Sequence, residues 1–190
     1  MQIPEYDKTK SSLFNEILAK GKTRYPNEHP WQEMFLTGKL SQDQLKIWAV
    51  NRYYFHAGIP AKDANVFAKL PDDKDAKNMW LEKLQEEAGT DEEQSHPDMF
   101  LDFCEGLGLT RDEVTNAEVF APIRVGVDAY THAARIHPFQ WGVGASVSEY
   151  TVPYKMARML KAFKEHYSYI PEDSLHFWSC LLYTSPSPRD

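Results

Sequence analysis

Ser41 and Gln44 form a capping box, and behind it Leu45, Trp48, Ala49, Arg52 and His56 recur at helical spacing. An arginine and a histidine therefore share a face with a leucine, a tryptophan and an alanine. A helix with such a mixed inward stripe calls for a bundle around a polar interior, because buried charges need partners or ligands. The rest of the chain follows the same period. Leu13, Phe14, Ile17 and Leu18 make a stripe ending at Gly21, and a short element surrounds Trp31, Met34 and Phe35. Pro60 is expected to interrupt the helix begun at Ser41, leaving a further segment over 61–69. A helix over 73–88 carries Met79, Trp80 and Leu84 and stops before Gly89. Pro97 suits the first position of the next helix, with Phe100, Phe103, Cys104 and Leu107 inside. Thr110 and Glu113 box another start, and helical stretches follow over about 117–135 and 138–166. With no alternating strand pattern and no internal repeat, the expectation is an all-α fold, one helical-bundle domain over 1–179.

Composition narrows the function. The 190 residues are 42% hydrophobic, enough for one core that encloses a pocket. A net charge of -7 without a Lys/Arg cluster argues against nucleic acid or an anionic membrane as partner. No apolar run approaches the roughly 18 residues of a membrane span, so a cytoplasmic location is expected. Cys104 and Cys180 form neither a CxxC pair nor a disulfide framework, and Cys104 sits in a core stripe.

The chemistry-bearing residues gather in a few places. In LQEEAGTDEEQSHPDMFLDF, a helix ends on Glu86 and Glu87, and His96 opens the next. Carboxylate oxygens with an imidazole nitrogen are what a redox-active iron or manganese ion takes as ligands. The same acidic run also reads as a solvated loop. Glu149 lies in GASVSEYTVP, a small and apolar run where burial is expected. A buried carboxylate there needs a metal, a strong hydrogen bond or a cation such as Arg124, Arg135 or Arg158. Arg52 and Lys62 flank NRYYFHAGIPAKDA, where they either clamp a carboxylated substrate or pair with Asp63 or Glu33.

The segments NRYYFHAGIPAKDA, EEAGTDEEQSHPDMFLDF and VDAYTHAAR together resemble the pyrroloquinoline-quinone synthase branch of the thiaminase-II-like, heme-oxygenase-like superfamily, over roughly 20–179. The resemblance implies a helical bundle with one internal site and a small-molecule substrate. Within it, Tyr25, Arg52 and Lys62 match substrate-contacting positions, as does Tyr130. It gives Lys62 and Tyr130 catalytic roles and puts Tyr25, Arg52 and His56 on the substrate. Three positions depart from the synthase pattern. Its histidine after the first tyrosine is Pro26 here, its glutamine after the NR motif is His56, and its active-site histidine at the helix end is Glu87.

Those departures resemble a sister group, the heme-oxygenase-like diiron oxidases. Glu86, His96 and Glu149 match that group's first three ligands, with Glu87 as the alternative to Glu86. This implies two iron ions, O2 as co-substrate and, as in related bundles, a homodimer. A metal-free synthase and a non-catalytic binding bundle are the other readings. The diiron pattern closes with His-x-x-x-Asp-x-x-His shortly after a Phe such as Phe177, where this chain has CLLYTSPSPRD. That string resembles a translated sequencing adapter, so 180–190 is expected to be a non-native tail and the bundle to be truncated before its last helices. A natural Pro-rich tail is the alternative.

Overall fold

The computed structural model describes residues 11–24 and 29–183, and these are helical with no strand among them. The helices are α1 (Ser12–Arg24), α2 (Pro30–Leu36), α3 (Gln42–Phe67), α4 (Lys74–Ala88), α5 (His96–Gly106), α6 (Arg111–Thr115), α7 (Ala121–Ile136), α8 (Phe139–Ser146), α9 (Val152–His166) and α10 (His176–Tyr183). Two 3-10 segments, Val147–Thr151 and Glu172–Leu175, complete the described chain. The all-α expectation is met. The chain divides into two compact units, one over 41–146 and the other made of 1–40 with 147–190.

In the unit over 41–146, α3 is the central rod and packs against α4, α5, α6, α7 and α8. Its start is the capping box foreseen from Ser41 and Gln44. Its middle differs from expectation, because Pro60 sits inside an unbroken helix. Tertiary packing along the whole rod outweighs the lost backbone bond. Gly142 of α8 lies so close to α3 that a Cβ would overlap the fully buried Val66 side chain. Val66, Trp80 and Ala134 form a shared core there, with Phe67, Leu70, Phe139 and Val143 packed on it.

In the other unit, α9 packs against α2 and α10. Phe35 meets the Phe163 ring edge-on at 4.9 Å and stacks on Tyr167 at 5.3 Å, while the Tyr167 hydroxyl donates to the Phe35 carbonyl at 2.9 Å. A large aromatic core thus satisfies its own polar tip. Gly38 adopts a φ of +70° where the chain turns past His166, whose Cβ lies 2.8 Å from the place a Cβ would take. Three boundaries depart from the sequence reading. Helix α1 runs through Gly21 to Arg24, the stretch 138–166 splits at Val147–Thr151, and α10 continues through Cys180 to Tyr183. The last extension follows from Leu181 and Leu182, apolar and half-buried, which prolong the helical pattern.

Candidate functional site: a buried charge network on α3, α4 and α5

Residues 52, 56, 59, 63 and 66 lie three or four apart on α3, so Arg52, His56, Ile59, Asp63 and Val66 share one helical face. Lys62, next to that stripe, is also completely buried. Its ammonium lies 2.6 Å from Asp63 Oδ1 and donates to Ser146 Oγ at 2.7 Å. The rings of Trp80 and Tyr130 stand 5.7 and 5.5 Å away. Trp80 Nε1 in turn donates to the Asp63 carbonyl at 3.1 Å. Desolvating a lysine costs several kcal/mol, and a carboxylate, a hydroxyl and two aromatic faces offset that here.

The network continues through α4. Lys83 Nζ stands 3.7 Å from Asp63 Oδ2 and 3.8 Å from Glu87 Oε1, bridging two buried carboxylates. Glu87 Oε2 lies 3.2 Å from His96 Nδ1. His96 is set at the first position of α5, where Ser95 caps the helix through the Asp98 amide. Burial pulls the Glu87 carboxyl upward, but the His96 hydrogen bond and the charges of His96, Lys83 and Lys62 outweigh it, leaving Glu87 below the usual carboxylate range. Its neighbour behaves oppositely. Glu86 is half-buried and its carboxyl is raised, mainly by burial.

At the other end of the stripe, Arg52 Nε donates to His56 Nε2 at 3.1 Å, and the guanidinium lies 4.5 Å over the Phe55 ring. No carboxylate pairs with Arg52 among the described residues. Burial lowers its guanidinium to about 10, against an opposing contribution from Tyr130. His56 is buried, and burial followed by the charges of Arg52 and His96 holds its imidazole well below the ordinary value. His56 is therefore the neutral acceptor that orients Arg52.

The residues singled out from sequence divide accordingly. Arg52 and His56 touch, Lys62 and Tyr130 face each other, and His96 meets the alternative carboxylate, Glu87. Tyr25 lies outside the described residues. Glu149 was expected to be buried, but it is half-buried in the Val147–Thr151 segment, which belongs to the other unit. The short 3-10 turn does not sink this carboxylate into a helix interface as a continuous helix would. Cys104 is fully buried and burial pushes its thiol up to about 12, which removes it as a nucleophile. Lys83 was not foreseen. Its signal was the Lys83–Glu87 spacing of four on one helix, an ion-pair register that also occurs on solvated faces.

An iron centre would need three or more nitrogen and oxygen donors converging on one point. Among the described residues, no three His, Cys, Asp or Glu side chains are so grouped. Glu87 lies 3.2 Å from His96 Nδ1 and 3.8 Å from the Lys83 ammonium. One carboxylate and one imidazole, with a lysine between that carboxylate and the next, do not by themselves fit a resident iron.

A separate groove of about 490 Å³ runs between α3 and α7, lined by Tyr54, Gly58, Val127, Asp128, His132 and Arg135 among others. None of the network residues lines it. No helix among the described residues is long and apolar enough to cross a membrane.

Comparison with known proteins matches residues 17–176 to the TENA/THI-4/PQQC family. The chain is 32% identical over 171 residues to the bifunctional coenzyme PQQ synthesis protein C/D of Methylorubrum extorquens, which covers 90% of this chain and 46% of that protein. It is 31% identical over 183 residues to the pyrroloquinoline-quinone synthase of Gluconobacter oxydans, covering 96% of this chain and 76% of that one. Against the pyrroloquinoline-quinone synthase of Bradyrhizobium sp. it is 30% identical over 171 residues, 90% of this chain and 65% of the relative. The chain thus spans about half the length of the first relative and two thirds to three quarters of the other two.

Proposed function

Because the chain belongs to the TENA/THI-4/PQQC family, we propose that it is an oxidoreductase of quinone-cofactor synthesis, oxidising a small carboxylated substrate with O2 as electron acceptor. The observation that carries this reading is Arg52, a desolvated guanidinium held by a neutral His56 and left without a carboxylate partner among the described residues. A planar cation in such surroundings is built to receive a carboxylate in two parallel hydrogen bonds. Lys62 and Tyr130, which face each other at 5.5 Å, add a second cation and a phenol to this reading, while Asp63 holds the Lys62 ammonium in place. Tyr25 joins the substrate contacts in this reading.

Binding of pyrroloquinoline quinone, followed by calorimetry, tests the role of Arg52. Arg52→Met is expected to weaken binding by roughly tenfold or more, since a hydrogen-bonded charge is worth about 1.5 to 3 kcal/mol. Arg52→Lys recovers part of it. Equal affinity in wild type and Arg52→Met removes Arg52 from the substrate site.

A second reading makes the protein an iron-dependent oxidase, with His96, Glu86 or Glu87, and Glu149 among the ligands of two ions. Its support is the Glu87–His96 contact. Iron content after reconstitution, compared with His96→Gln, separates it from the first.

A further inference from the structure

The groove between α3 and α7 takes no part in the buried charge network, yet its two ends carry opposite charge. At one end the Tyr54 hydroxyl donates to Asp128 Oδ1 at 2.7 Å, and the Arg124 guanidinium lies 5.6 Å over the Tyr54 ring. Asp128 Oδ2 has no hydrogen-bond partner among the described residues. At the other end Arg135 meets His132 Nδ1 at 3.4 Å, and no carboxylate among the described residues. Between the ends, Gly58 brings α3 so close to α7 that a Cβ would come within 3.2 Å of Val127 and 3.3 Å of the Thr131 hydroxyl. An arginine in the last turn of a helix ordinarily turns back onto the open carbonyls. In α7 that place is taken. The Lys69 ammonium, from α3, donates to the carbonyls of Ala134 and His137. It satisfies the helix end and supplies the compensating charge there, which leaves Arg135 to the groove it lines.

We propose that this groove is a second small-molecule site, which binds an elongated zwitterion with its carboxylate on Arg135 and its ammonium on Asp128. The length of the ligand follows from the register of α7. Asp128 and Arg135 stand two turns apart on one helix face, about 10 Å along the axis. An extended peptide advances about 3.3 to 3.6 Å per residue, so a tripeptide places its two charged ends over that distance. The cavity of about 490 Å³ lies in the range that small ligands occupy. Thr131, whose hydroxyl has no hydrogen-bond partner among the described residues, serves the ligand's amide groups midway. Gly58 and Val127 give a floor without a long side chain in the way. The Tyr54 hydroxyl fixes the Asp128 carboxylate, so the ammonium end meets an oriented acceptor.

Triglycine is the probe, titrated into the full chain and followed by calorimetry and by 15N–1H amide spectra. Saturable binding that shifts the amides of 127–135 is expected in the wild type. Arg135→Met and Asp128→Asn should each weaken it by about tenfold, because each removes a charge-assisted hydrogen bond. Both side chains are exposed, so either substitution leaves the core in place. Triglycine acetylated at one end and amidated at the other lacks both charges and should bind at least tenfold more weakly. Arg52→Met, altered in the network and not in the groove, should bind triglycine as the wild type does. No saturation by about 10 mM triglycine overturns the proposal. Equal affinity in wild type and Arg135→Met, or for the capped and uncapped peptide, also overturns it, as does loss of binding in Arg52→Met. So do groove amides that shift with protein concentration alone, which would make a second copy of the chain the occupant. None of these readouts uses turnover, so a missing oxidase activity leaves each of them readable.

Discussion

The Lys62 ammonium and the Asp63 carboxylate, neighbours in sequence, lie 2.6 Å apart with both side chains completely removed from solvent. Breaking a buried pair by neutralising one member leaves the other charge uncompensated, at a cost of about 3 to 5 kcal/mol. Asp63→Asn is therefore expected to lower unfolding stability by about 3 kcal/mol, since Ser146 still accepts from Lys62. Urea denaturation checks this. A loss within 1 kcal/mol, on the order of an ordinary surface change, contradicts the account of a buried charge network.

Adjacent glutamates should respond with opposite sign. Glu87 is held below its usual carboxyl range in the folded state, so its contribution is present above about pH 4.5 and disappears as pH falls through its lower folded value. Glu87→Gln is expected to cost about 1 to 3 kcal/mol at neutral pH, with the gap to wild type closing in acid. Glu86 is raised, so its ionised form opposes folding above the ordinary carboxyl value. Glu86→Gln should be neutral or stabilising at pH 7. Thermal unfolding of both variants from acid to neutral pH decides it.

His56 gives a second pH signature. Its folded value lies well below 6.5, so below that pH the unfolded chain binds a proton that the folded chain refuses. Stability is full above about pH 6.5 and declines as pH falls. In His56→Gln, whose amide oxygen also accepts from Arg52, the decline between about pH 6.5 and 5 should flatten. Parallel curves for the two proteins would show that His56 is not buried as described.

Much of the fold was legible because caps and apolar period act locally. Ser41 with Gln44 and Thr110 with Glu113 form the capping boxes their spacing announced. Pro60 stays inside α3 because tertiary packing along the helix outweighs the local cost of proline, and no local rule sees that packing. At the site, Arg52, His56, Lys62 and Tyr130 were picked out by apolar context and by resemblance to a known family. The choice between Glu86 and Glu87 was not legible, since one residue of helix rotation, about 100°, decides which carboxylate faces His96. Lys83 escaped notice for a related reason. A lysine four residues before a glutamate looks the same in sequence on a wet face and in a buried bridge.

Oxygen uptake in the presence of the quinone precursor, compared between wild type and Arg52→Met, tests the central claim most directly. The account predicts substrate-dependent O2 consumption by the wild type and a loss of at least tenfold in kcat/KM in the variant, the equivalent of about 1.4 kcal/mol. Equal uptake by the two proteins, or none by the wild type, would contradict it.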